Sequence, residues 1–100
     1  MPYIKQFDRK RYDNTIAELV TCLVETSRVD TTAVFPGHLN YIFTKVIKDA
    51  YNKAAQMEGF KLGYHDYNEI VGMLECCKQE FIRRVLNNYE DKKIEENGDV

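Results

Sequence analysis

The chain has one serine, two histidines and no apolar run approaching the roughly 18 residues of a membrane span, and each shortage removes a class of function. Ser27 has no histidine near it in sequence and sits in no Gly-x-Ser-x-Gly turn, so the serine-hydrolase apparatus is missing. His38 and His65 lie far apart, without the i, i+4 spacing of a helical metal site, and Cys76 and Cys77 are neighbours rather than a Cys-x-x-Cys pair. No metal or other cofactor is expected. Gly59 and Gly63 are not followed by the Lys-Ser or Lys-Thr of a phosphate loop, and the N-terminus lacks the apolar stretch of a secretory signal. The cysteines, Cys22 with the adjacent pair, are odd in number, and helical neighbours point about 100° apart, so they read as free thiols. Carboxylates are plentiful but fall on solvated helix faces, with no pair marked out for acid–base work. The chain reads as a non-enzymatic protein.

What is present suits one small globular domain: 100 residues, 44% hydrophobic and 30% charged. A chain this short buries a modest fraction of its surface, and association with further copies is a common remedy. The net charge of −2 argues against general nucleic-acid binding, which rests on clustered Lys and Arg. Charge is nevertheless polarised. Residues 1–12 set Lys5, Arg9, Lys10 and Arg11 against Asp8, a balance of +3, while residues 89–100 set five carboxylates against Lys92 and Lys93, a balance of −3.

Periodicity divides the chain into an arm and three helices. Residues 1–7 form the arm, with Pro2 opposing helix and Tyr3, Ile4 and Phe7 available to dock. Asp8 can cap a helix over 8–27 whose Tyr12, Ile16, Leu19, Val20 and Leu23 share a face. Residues 28–37 read as a loop, and a second helix over 38–57 presents Leu39, Ile42, Phe43, Val46 and Ile47 before stopping at Gly59. Asp66 and Glu69 have capping-box spacing at the head of a third helix over 66–97, ended by Gly98. The expected fold is all-α: a small three-helix bundle, residues 1–100 in one domain, with a long C-terminal helix whose far end packs on another subunit.

Lys78 is the informative position. The third helix repeats Tyr67, Ile70, Val71, Leu74, Cys77, Phe81, Val85 and Tyr89 at helical spacing, and Lys78 projects within the same stripe. A cation on a covered face must pair, snorkel out, or meet a ligand. Pairing with a carboxylate of a neighbouring helix is one reading. The other is that Lys78, with Arg83 or Arg84, grips an anion while tyrosines from other elements, such as Tyr41 and Tyr51 of the second helix, stack on a base. Asn40, in the first turn of the second helix, either caps or reads a ligand's polar edge. Glu80 and Arg84 stand at the spacing of a favourable i, i+4 pair.

The opening Met1-Pro2-Tyr3-Ile4, the segment Leu39-Asn40-Tyr41, the run Asn68–Arg84 and the closing Tyr89–Val100 together resemble a family of small uncharacterised bacterial and phage proteins, defined as a domain of unknown function. The resemblance covers nearly the whole chain and implies no activity. It places Asn40, Glu75, Lys78, Arg83, Arg84, Tyr89 and Asp99 inside the family's pattern, a more specific polar set than a bare bundle needs. This chain departs from it at Ile82, where relatives often carry Tyr, and in a longer 28–37 loop.

Two functions are weighed. The first is a helical homo-oligomer that binds and sequesters a small anionic, nucleotide-type signal, as a phage counter-defence protein would, in the cytoplasm of a bacterial host cell. Its candidate ligand-binding residues are Asn40, Tyr41, Glu75, Lys78, Arg83, Arg84 and Tyr89. The second is an adaptor or inhibitor that docks on a host protein. Membrane association is not expected, and nucleic-acid binding through Arg9, Lys10, Arg11, Arg83 and Arg84 ranks below both.

Overall fold

The computed structural model describes residues 2–30 and 35–100. Among these there is no strand: α1 is Gln6–Val29, α2 is Phe35–Glu58, and a third helix runs from Tyr64 to Asn97. The third contains an α segment Tyr64–Phe81 (α3), a π turn Ile82–Leu86 and a second α segment Asn87–Asn97 (α4). The all-α class, the three helices and the long C-terminal one agree with the periodicity. No helix is long and apolar enough to cross a membrane among the described residues.

The chain divides into two units. One is Ile4–Leu62; the other joins the first three residues to Gly63–Val100. In the first, α1 begins two residues before the expected start. Lys5 precedes it without a side-chain cap, and Asp8 lies in the first turn, where its charge favours the exposed N–H groups. The Arg9 guanidinium donates to the Ile4 carbonyl at 2.8 Å, tying the arm to that turn. The expected 28–37 loop is shortened from both sides, since α1 reaches Val29 and α2 begins at Phe35; its residues 31–34 lie outside the described residues. At the far end of α2, Gly59 takes φ +73°, and its N–H and that of Phe60 both return to the Ala55 carbonyl at 2.9 and 3.0 Å. That is the stop the glycine foretells, because a side chain at positive φ is strained.

In the second unit the helix starts at Tyr64, with Gly63 rather than Asp66 at the cap. Asp66 sits three residues inside and accepts the Gly63 N–H at 3.0 Å, so the reach-back half of a capping box is present, made by Asp66 instead of Glu69. Gly98, at φ +88°, ends the helix by donating to the Ile94 carbonyl at 2.8 Å.

Neither unit encloses a core of its own. Ala55 is the one buried residue among those described, and no large side chain is fully covered. The second unit could not be otherwise, being one helix about 50 Å long at 1.5 Å per residue with two arm residues beside it. Tyr67, Val71, Leu74, Phe81, Leu86 and Tyr89 are all exposed along it. On α1, Tyr12, Ile16, Leu19 and Val20 are exposed as well, with Leu23 half-buried. The apolar stripes exist where the periodicity puts them. Covering them requires surface that neither unit supplies by itself.

Candidate functional site

The most elaborate polar arrangement among the described residues is at the π turn. There the Asn87 N–H reaches back five residues to the Ile82 carbonyl, in place of the usual four. The flanking residues Phe81 and Asn87 keep right-handed helical angles, so the helix continues through the irregularity. The Asn88 side-chain amide donates to the Arg84 carbonyl at 2.8 Å, supplying a partner within a turn where the α pattern is interrupted. A π turn takes in one more residue than an α turn. The stripe Tyr67, Val71, Leu74, Lys78, Phe81 therefore resumes one position late, at Leu86, Tyr89 and Lys93.

Tyr3 folds onto this segment. Its hydroxyl donates to the Glu80 carboxylate and accepts from the Arg83 guanidinium at 3.2 Å. Arg83 also donates to both Glu80 oxygens, at 2.7 and 3.4 Å, and Arg84 lies over the Tyr3 ring, 6.0 Å from its centroid. Glu80 is the most covered member, its side chain 22% exposed. The bond from Tyr3, followed by that from Arg83, holds its carboxyl below the ordinary carboxylate range, against the small opposing effect of burial. Arg83 is in turn held more firmly protonated by Glu80. The Glu80–Arg84 pair expected from i, i+4 spacing is replaced by Glu80–Arg83, because Arg84 is drawn over the tyrosine. A shallow concavity runs beside the arm, between Pro2 and the helix row Glu75, Gln79, Arg83 and Asn87.

Lys78 does not occupy a covered face in this unit. Its side chain is 63% exposed and pairs with Glu75, three residues earlier, at 3.6 Å. The expectation of an inward cation is corrected here: membership of the apolar stripe is a property of one helix, whereas burial needs a second surface laid on it. Glu75 also accepts from Gln79 at 3.0 Å, and that bond, with Lys78 second, lowers its carboxyl from the usual value. Cys77, expected in the covered stripe, is exposed, as are Cys76 and Cys22; all three are free thiols. Tyr89 is exposed, with the Lys93 ammonium 5.6 Å from its ring centroid.

The seven candidate residues separate into two groups. Glu75, Lys78, Arg83, Arg84 and Tyr89 share the C-terminal helix, while Asn40 and Tyr41 belong to α2 in the other unit. Asn40 accepts from the Thr44 hydroxyl at 3.2 Å, and with Tyr41, Lys45 and Lys48 it lines an open dent on α2. Lys45 there is paired with Asp49 at 2.9 Å, which raises its pKa from the ordinary lysine value. Tyr3 and the π turn are what the sequence reading missed as site features. Tyr3 was legible only as an aromatic with something to bury, and no local pattern announces a bond to a residue 77 positions away.

A family model described as Domain of unknown function (DUF6899) matches residues 1–100. No curated protein and no solved structure matches the chain.

Proposed function

As the chain belongs to the DUF6899 family, whose description assigns no activity, its role is read from its own residues, and we propose that it is a non-enzymatic helical binding protein that works as a homo-oligomer. One observation carries this. Among the described residues only Ala55 is buried, and each helix exposes apolar side chains, which soluble proteins reserve for contact with other protein surfaces. An isolated helix is marginal in water, and helices in proteins draw most of their stability from packing an apolar face. Three exposed free thiols suit a reducing compartment such as the cytosol.

The ligand class that goes with this reading is a small anion of nucleotide type. Arg84 supports it: its guanidinium stacks on Tyr3 and forms no ion pair among the described residues, leaving forked donors for phosphate beside an aromatic ring. Arg83 and Lys78 contribute less, since Glu80 and Glu75 already answer their charge. Assembly of several copies would multiply such cations around clefts between protomers. The rival reading, an adaptor or inhibitor docking on a different protein, draws on the same exposed faces.

Sedimentation of the purified chain across the micromolar range is the direct test, followed by calorimetric titration with cyclic dinucleotides and ADP-ribose derivatives. A discrete oligomer that takes up one of these with measurable heat is expected. A stable, fully folded monomer would remove the assembly. A discrete oligomer silent to every nucleotide, yet retaining one protein from lysate, would shift the assignment to the adaptor.

A further inference from the structure

The open stripe of the C-terminal helix carries a charge order that matches itself in reverse. Residues 64–75 hold Asp66, Glu69 and Glu75 with no Lys or Arg, while residues 78–88 hold Lys78, Arg83 and Arg84 against Glu80. The first half is acidic and the second basic, a balance of −3 facing one of +2. Between them the exposed Tyr67, Val71, Leu74 and Phe81 repeat at alternating steps of four and three, with Lys78 filling the one polar position of the series. Such a series is the seam of a two-helix coiled pairing, and a single Lys in it fixes alignment at a cost in stability.

We propose that this face is covered by a second copy of the same helix, antiparallel, about a two-fold axis near Cys76. The inference rests on the homo-oligomer reading and adds the occupant and its register. Side-by-side parallel alignment would lay acidic on acidic, basic on basic and Lys78 on its own counterpart, each of which repels. Reversal about position 76 brings the acidic half of each helix against the basic half of the other. Leu74 then faces Lys78 of the second copy and Val71 faces its Phe81. Each Lys78, now paired at 3.6 Å with Glu75 of its own chain, comes within reach of Glu75 of the other. The ammonium laid across Leu74 keeps its stem on apolar surface and its charge between two carboxylates.

The test uses the full chain. Lys78→Glu alone and Glu75→Lys alone each place like charges across the axis, so each should weaken self-association about tenfold or more, a change of about 1.4 kcal/mol. An equal mixture of the two variants should restore it, because each then supplies the charge the other lacks. Spin labels supply the register, with Cys22 and Cys76 changed to serine. A label on Cys77, at the edge of the seam, should lie close to its counterpart, whereas labels on Lys92→Cys, with Cys77 also changed to serine, should lie roughly 50 Å apart at 1.5 Å rise per residue. Close approach at both positions, or a mixture no stronger than either variant, overturns the proposal while leaving the oligomer reading in place. A concentration-independent monomer, its stripe protected by α1 or α2 of the same chain, overturns both.

Discussion

The Tyr3 hydroxyl donates to the Glu80 carboxylate across 77 positions of sequence, and the same oxygen accepts from Arg83. One phenol thus sits between the two members of an ion pair, with Arg84 over its ring. Its position against the π turn sets which cations of that segment are already paired. Arg83 is committed to Glu80, and Arg84 is the cation that stays available.

Tyr3→Phe removes the hydroxyl and keeps the ring. The Glu80–Arg83 pair should survive, because its two bonds do not involve the tyrosine. The arm should loosen while helix content stays constant. NMR order at residues 2 and 3 should fall, and circular dichroism should not change; unaltered order would show that the hydroxyl does not hold the arm.

Glu80 titrates below the ordinary carboxylate value of 4.5. A depressed carboxylate contributes stability that is fully present above the unfolded value and is lost as pH falls through the lower folded one. Acidification from neutral should therefore leave the arm docked until pH drops below 4.5 and release it over the interval beneath. In Glu80→Gln the arm should already be loose at neutral pH and show no further acid step. An equal acid step in that variant would assign the transition to another group, Glu75 being the first to examine because its value is lowered too.

Phe81→Ala shortens an aromatic side chain of the open stripe, 63% exposed. If assembly covers it, the loss should be about 1.5–3 kcal/mol of association free energy, the value of burying such a side chain. A two-fold pair loses two such side chains, so Kd should rise about a hundredfold or more, read by sedimentation. The same substitution in an uncovered helix would leave the sedimentation profile unchanged. Lys78→Met should act oppositely, strengthening association by removing a polar group from the seam while loosening its alignment.

Gly59 and Gly72 should respond in opposite directions to alanine. Gly59 holds φ +73°, where a Cβ costs about 1–2 kcal/mol, so Gly59→Ala should destabilise. Gly72 lies inside α3 with nothing within 4 Å of an added Cβ, and Gly72→Ala should stabilise by about 0.5–1 kcal/mol. Thermal melts of both variants check the pair. A stabilised Gly59→Ala would mean that α2 does not end in the left-handed turn.

Local rules made the helices readable. Alternating three- and four-residue spacing located all three, and Gly59 and Gly98 marked their ends, because backbone hydrogen bonding and positive φ are decided within a few residues. The starts were displaced by two or three residues. At Gly63 the cap is a residue without a side chain and Asp66 reaches back to it, an option that Asp66-Tyr67-Asn68-Glu69 does not distinguish from a cap at Asp66. Nothing in Ile82–Leu86 signals a π turn.

The residues themselves determined that this is an all-α protein of three amphipathic helices, with free thiols and a polarised charge order, since each follows from residue type and spacing along one chain. The tertiary structure decided what those side chains meet. It set Tyr3 between Glu80 and Arg83, moved Arg84 off its expected carboxylate, and left Lys78 paired with Glu75 in the open. The physical reason is that spacing along a helix assigns a side chain to a face, whereas the surface opposite that face comes from residues far away in sequence or from another molecule.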